Sequence, residues 1–209
     1  MRIAIIGTGS VGRTLADGFT RVGHHVVVGT RDPDETARRE AWADEAHAIV
    51  PFAEAGHGAE VVVNATGGTV SLDALAQVDV DGKVLLDVSN PLDFSHGFPP
   101  TLTVKDTDSL AEQIQRAHPG ARVVKALNTV TAAVMVDPAR LPEATTIFVA
   151  GDDEAARGVV AGLLGELGWT DVVEFGSLDA ARGLEMWLPL WVRLMGALGT
   201  ADFNLRLVR

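Results

Sequence analysis

The sequence contains no cysteine, which excludes disulfides and thiolate sites and leaves the redox compartment unreadable. Positive charge is scarce: 17 Lys and Arg stand against 28 Asp and Glu, for a formal net charge of −11. No basic stripe interrupts that excess, so nucleic acid is not an expected partner, while a small anion held by a few local cations remains open. Long apolar runs are also missing. None approaches the ~20 residues of a membrane span, and the first residues show no charged leader with an apolar stretch and cleavage site. The expectation is a soluble, cytoplasmic protein with no membrane partner. The six histidines show no ligand spacing, and no serine sits in a nucleophile elbow. Neither a metal site nor a catalytic acid–base residue is expected.

What the chain does have is apolar residues in short, regularly spaced runs, 47% of 209 residues in all. That suffices for the core of one large domain, or of one domain with a small appendage. Strands are expected at 2–6, 25–29, 48–50, 60–65, 83–88, 122–127, 145–150 and 172–175. Helices are expected at 10–22, from Asp32 to about 46, and at 71–77, 107–117, 154–167 and 178–198. Asp32-Pro33-Asp34-Glu35 reads as a helix start, with Asp as cap and Pro in the first position. Strands alternating with helices predict an α/β, Rossmann-type doubly wound, mainly parallel sheet. Residues 1–150 read as a dinucleotide-binding domain and 151–209 as a small C-terminal strand–helix extension. The loops after residues 6, 29, 65, 88 and 127 should share the edge where such sheets bind ligands.

The first of those loops reads Gly7-Thr8-Gly9-Ser10-Val11-Gly12, a complete G-x-G-x-x-G between strand and helix. The first glycine permits the tight turn, the second lets a pyrophosphate approach the backbone, and the third lets helix and strand pack closely. The free N–H groups of the helix start suit the phosphates. Which dinucleotide is held depends on the end of the second strand. Counting 20 residues from Gly12 reaches Asp32, the acid position of NAD enzymes. Asp32 is better explained as a helix cap, however, and Gly29-Thr30-Arg31 occupies the turn itself. A hydroxyl beside a guanidinium suits a 2′-phosphate, so NADP is expected.

The pieces "GTGSVG", "GHHVVVGTR", "VLLDVSNPL", "VVKALNT", "VAGDDEAA" and "GSLDAARGLEMWLPLW", in this order, resemble the coenzyme F420-dependent NADP oxidoreductases and their bacterial relatives. They are similar also to the cytosolic domain of the STEAP metalloreductases. The resemblance covers nearly the whole chain. It implies hydride transfer between NADP(H) and the deazaflavin coenzyme F420, both rings stacked in one cleft, and a homodimer. By position it implies that Thr8, Gly9, Ser10 and Val11 line the pyrophosphate and Thr30 and Arg31 the 2′-phosphate. Ala65, Thr66 and Gly67 would form the nicotinamide-side wall. Ser89-Asn90-Pro91-Leu92 and Leu127-Asn128-Thr129 would wall the place where nicotinamide and acceptor meet. The chain departs from the family pattern in having Asn64-Ala65-Thr66-Gly67-Gly68 in place of a turn with proline. It also has Asn128 at a position of His, and Glu35 at a position of Lys, for which Arg38 or Arg39 could substitute.

Other residues have bland readings as well. Lys125 either bonds a cofactor carbonyl or carries its ammonium past the strand end. Asp152-Asp153-Glu154 are better helix-capping acids than metal ligands. Trp187 and Trp191 share a helical face and read as packing or as anchors of a two-fold interface. A flavin or ferric reductase and a non-catalytic NADP(H)-binding module are the alternative functions. A β-hydroxyacid or imine dehydrogenase would need a larger second domain.

Overall fold

Runs of consecutive apolar residues become strands covered on both faces. In the computed structural model, which describes residues 1–42 and 47–209, the elements follow in this order: β1 (Arg2–Ile6), α1 (Ser10–Arg21), β2 (His25–Thr30), α2 (Pro33–Ala37), β3 (Ala48–Pro51), α3 (Phe52–Ala55), β4 (Val61–Asn64), α4 (Ser71–Leu75) and β5 (Val84–Asp87). A small hairpin, β6 (Leu92–Asp93) and β7 (Thr101–Leu102), precedes α5 (Leu110–Ala117), β8 (Arg122–Ala126) and α6 (Ala132–Val136). The chain ends with β9 (Thr146–Ala150), α7 (Glu154–Glu166), β10 (Asp171–Phe175), α8 (Ala181–Met186) and α9 (Leu188–Leu198).

Eight strands form one sheet in the order β10-β9-β8-β5-β4-β1-β2-β3. From β3 to β8 all neighbours are parallel, the doubly wound arrangement that the alternating pattern predicts. β9 then joins β8 antiparallel, and β10 joins β9 parallel. Within β1, Ile3 and Ile5 enter one core with Leu15 and Phe19 of α1, while Ala4 and Ile6 enter the other with Leu75 of α4 and Ile114 of α5. This alternation follows from the two-residue period of a strand.

Three expectations require correction. β2 continues through Thr30, which pairs with Pro51 of β3, so only Arg31 stands beyond the strand. The helix begun at Asp32 closes at Ala37, and a 3₁₀ turn, Glu40–Trp42, follows. The rest of its expected length, 43–46, lies outside the described residues. The helix expected over 178–198 is a 3₁₀ turn and two helices, broken at Trp187. Pro189 occupies the first turn of α9, where its missing N–H leaves nothing unpaired.

Candidate functional site

The turn after β1 is shaped by what its glycines cannot carry. Gly7 has φ +121°, and a Cβ there would lie 2.6 Å from the Ala65 carbonyl oxygen. A Cβ on Gly12 would lie 2.1 Å from the Gly7 carbonyl oxygen, so helix and strand meet backbone to backbone. A Cβ on Gly9, by contrast, meets nothing within 4 Å. Gly9 is the N-cap of α1 and provides no side-chain cap, and the first turn of α1 contains no acid. The opening N–H groups of that helix therefore face an open, electropositive concavity.

Beside the turn lies a cavity of about 300 Å³ bounded by Thr8, Thr30, Arg31, Glu35, Arg39 and Phe52. Asp32 also borders it, but its Oδ1 accepts the Glu35 N–H at 2.8 Å, the capping bond that the sequence predicts. Thr30 is buried, its hydroxyl bonded to that of Thr36 at 2.9 Å. Of the two candidate arginines after α2, Arg39 lines the cavity. Its guanidinium donates to Thr8 Oγ1 at 3.1 Å and to Glu35 Oε1 at 3.0 Å. The Trp42 indole N–H donates to the Thr8 carbonyl at 3.1 Å. Arg31 and Arg39 thus border one cavity, and arginine is the residue type that suits a phosphate.

The walls farther along the edge are joined by a buried polar network. The two hydrogens of Asn64 Nδ2 are shared among Asp87 Oδ1 (2.9 Å), Ser71 Oγ (3.1 Å) and Ser89 Oγ (3.3 Å), while the Thr66 hydroxyl donates to Asn64 Oδ1 (2.7 Å). A Cβ on Gly67 would meet nothing within 4 Å, but Gly68 has a spatial reason: a Cβ there would sit 2.2 Å from the Asn90 carbonyl oxygen. The loops after β4 and β5 approach too closely for any other residue there.

Ser10, Val11, Asn90 and Asn128 come together around a second cavity of about 210 Å³, with Val88, Leu188 and Trp191. The two asparagines interlock. Asn90 Nδ2 donates to the Asn128 carbonyl and Asn128 Nδ2 to Asn90 Oδ1, both at 2.9 Å. Asn128 Nδ2 also donates to the Leu184 carbonyl at 3.0 Å, and the buried Asn128 Oδ1 has no hydrogen-bond partner among the described residues. Leu127, buried, holds φ +62°, a left-handed conformation that costs a leucine about 1–3 kcal/mol and clusters at functional sites. Not every expected residue joins this cavity. Pro91 turns its carbonyl to Thr103, Leu92 belongs to the β6–β7 hairpin, and Thr129 lines a neighbouring cavity with Trp187.

Lys125 has neither of its expected roles. It is fully buried, and Nζ contacts Asp87 Oδ2 (2.7 Å), the Ser89 carbonyl (2.6 Å) and Glu185 Oε1 (2.9 Å). Glu185 in turn accepts the N–H groups of Leu110 and Ala111, at the start of α5. Burial alone would lower Lys125, but the Asp87 and Glu185 carboxylates hold it above the ordinary lysine value. Burial, opposed by Lys125 and reinforced by Asp87, raises Glu185 above the ordinary carboxylate range. Lys125 thus rises because two carboxylates face its ammonium, and Glu185 rises because it is buried. Sequence reasoning missed Asp87 and Glu185, and gave Asn64 and Trp191 other roles. One signal was present: Asp87 and Lys125 are each polar near the end of an apolar strand run, and they pair in register across β5 and β8. Asp153, as expected, caps α7 by accepting the Ala156 N–H at 2.7 Å, and no cluster of potential metal ligands occurs among the described residues.

Residues 2–91 match the family described as NADP oxidoreductase, coenzyme F420-dependent. A solved structure of a candidate F420-dependent NADP reductase from Arthrobacter sp. FB24 superposes with a TM-score of 0.97, at 50% identity over the whole of both chains. The F420-dependent NADP reductase of Methanothermobacter thermautotrophicus is 28% identical over 207 residues, covering 93% of this chain and 89% of that one. The metalloreductase STEAP3 of Rattus norvegicus is 32% identical over 197 residues, but these span 91% of this chain and only 38% of that protein. The glycine turn, the two-arginine cavity and the paired asparagines lie within the stretch shared with such relatives, and the chain belongs to the coenzyme F420-dependent NADP oxidoreductase family.

Proposed function

We propose that this protein transfers a hydride between NADP(H) and the deazaflavin coenzyme F420. The observation that carries the reading is the placing of two cavities on one sheet edge, one with two arginines and the other with paired asparagines, joined by a glycine turn that is open at Gly9. The residues fit a dinucleotide. The open face at Gly9 and the uncapped start of α1, with Thr8, Ser10 and Val11, would hold the pyrophosphate. Thr30, Arg31 and Arg39 would hold the 2′-phosphate. Ala65, Thr66 and Gly67 would flank the nicotinamide, and the unpartnered Asn128 Oδ1 offers an acceptor to its carboxamide. Ser89, Asn90, Pro91, Leu92, Leu127 and Thr129 would shape the acceptor side.

When bound, the two cofactors supply the hydride donor and acceptor carbons. The protein's part is to orient them and exclude water, for which near-attack positioning supplies much of the rate. Among the described residues no ionisable side chain lines the 210 Å³ cavity, so the residues there orient the rings and take no proton. Residues 1–150 would bind NADP and 151–209 complete the acceptor cleft, in a cytoplasmic homodimer; no helix among the described residues is long and apolar enough to cross a membrane. The likeness to STEAP3 supports a second reading, an NADPH-dependent flavin or ferric reductase. Purified protein with NADPH should reduce F420 faster than FMN, FAD or ferric chelates. Preference for a flavin would establish the second reading, and binding without turnover of any acceptor would overturn both.

A further inference from the structure

The Asp87–Lys125–Glu185 cluster adjoins residues that line the cavity of about 210 Å³, and its hydrogen bonds fix its charge. Asp87 Oδ1 accepts from Asn64 Nδ2, the Ser89 N–H and the Ser89 hydroxyl, and Oδ2 accepts from Lys125. Glu185 Oε2 accepts from the Leu110 N–H, and Oε1 from the Ala111 N–H and Lys125. The neighbours of Glu185 and of Asp87 Oδ2 are all N–H donors, and the Ser89 hydroxyl donates to Asp87 Oδ1 while it accepts from Asn64 Nδ2; a protonated carboxyl would need an acceptor. Both carboxylates are therefore ionised around a single ammonium, with Asp87 and Lys125 fully buried and Glu185 1% exposed. The start of α5 accommodates the surplus charge. The cluster therefore carries one more negative than positive charge, set at the start of α5 in the interior, where water screens it poorly.

Its position bears on the cofactor. Val88, next to Asp87, lines the cavity, and so does Leu188, one turn after Glu185. A nicotinamide ring is a cation when oxidised and neutral when reduced. We infer that the Asp87–Lys125–Glu185 cluster acts as a fixed negative charge favouring NADP⁺ over NADPH in this cavity, so that the protein is built to make bound NADPH a hydride donor. The inference rests on the dinucleotide reading above and adds a direction to it. At ~10 Å and an effective dielectric constant of about 20, one unit charge changes a cation's affinity roughly tenfold. A ligand shifts an equilibrium only by its differential affinity for the two states, so the ratio of affinities for the two redox forms is the quantity to measure.

Calorimetric titration of the intact protein with NADP⁺, NADPH and 2′-phospho-ADP-ribose, which lacks the nicotinamide, tests it. Glu185→Gln, which removes the surplus charge, should raise the Kd ratio of NADP⁺ to NADPH by about three- to tenfold and leave 2′-phospho-ADP-ribose unmoved. Glu185→Asp, which shortens the side chain but keeps the charge, should retain the wild-type ratio. Equal weakening of NADP⁺ and NADPH in Glu185→Gln would show a merely structural role and overturn the inference. If both variants fail to fold, the wild-type affinities decide: tighter binding of NADPH than of NADP⁺ overturns it, and the reverse order supports it. Failure of the wild type to bind 2′-phospho-ADP-ribose would instead overturn the dinucleotide reading and the inference with it.

Discussion

Gly7, Gly9 and Gly12 sit in one turn, yet a methyl group added to each meets different surroundings. At Gly12 the methyl would press on the Gly7 carbonyl at 2.1 Å, and no flexible side chain is there to yield. Gly12→Ala should therefore destabilise the fold by about 2–3 kcal/mol, read from denaturant melts. Gly9 has φ −75° and open space around it, so Gly9→Ala should cost the apo fold no more than about 1 kcal/mol, that of a poorer N-cap. The same methyl would occupy the approach to the helix start and should weaken NADPH binding in a titration. At the other cavity, Arg31→Ala and Arg39→Ala should each weaken NADPH by roughly 1.5–3 kcal/mol, the scale of a charge-assisted hydrogen bond, and barely affect NADH. Equal losses for both dinucleotides would count against a 2′-phosphate site.

Between elements, α8 is tied to α5 by Arg182, whose Nε and Nη2 donate to the two carboxylate oxygens of Glu112 at 2.9 and 2.6 Å. Glu112 also donates its N–H to the Ser109 cap and accepts from the Ser109 hydroxyl, and the Arg182 bond holds its carboxyl below the ordinary carboxylate value. A carboxylate whose folded pKa is depressed contributes stability above its unfolded pKa, and this stability is lost as pH falls through the folded value. Arg182→Gln should accordingly lower the melting temperature at pH 7, and the gap to wild type should close as pH drops below 4.5. A gap that persists unchanged into acid would assign the loss to packing of the arginine stem.

For the whole molecule, the C-terminal helices leave an apolar surface. Leu190, Leu198 and Met186 are 49%, 57% and 39% exposed, and the tail that runs back along β9 adds Leu205 and Leu207 at 41% and 48%. The tail engages Thr146 through the Leu205 carbonyl and the Leu207 N–H, so it leaves Leu190 and Leu198 exposed. A two-fold axis that sets α9 against its copy would cover such a patch. Sedimentation equilibrium at micromolar concentration should give a dimer mass, and Leu190→Arg with Leu198→Asp should give a monomer; a monomeric wild type would reject the pairing.

The sequence by itself determined whatever a few neighbouring residues control. Consecutive apolar residues specified β1, β4 and β5 as buried strands, Asp32 and Asp153 could be recognised as caps, and the glycine spacing located the turn. Each of these depends on backbone conformation or on a hydrogen bond spanning three residues. Thr30-Arg31 was legible for the same reason, although pairing with β3 carried the strand one residue farther than apolarity suggested. Tertiary structure alone decided what depends on register between distant segments. Lys125 meets Asp87 only because β5 and β8 are adjacent and aligned, and Glu185 only because α8 returns over them. Arg39 rather than Arg38 faces the cavity because α2 closes after five residues. The antiparallel entry of β9 leaves no trace in its own composition, since a strand buried among neighbours has the same apolar run in either direction.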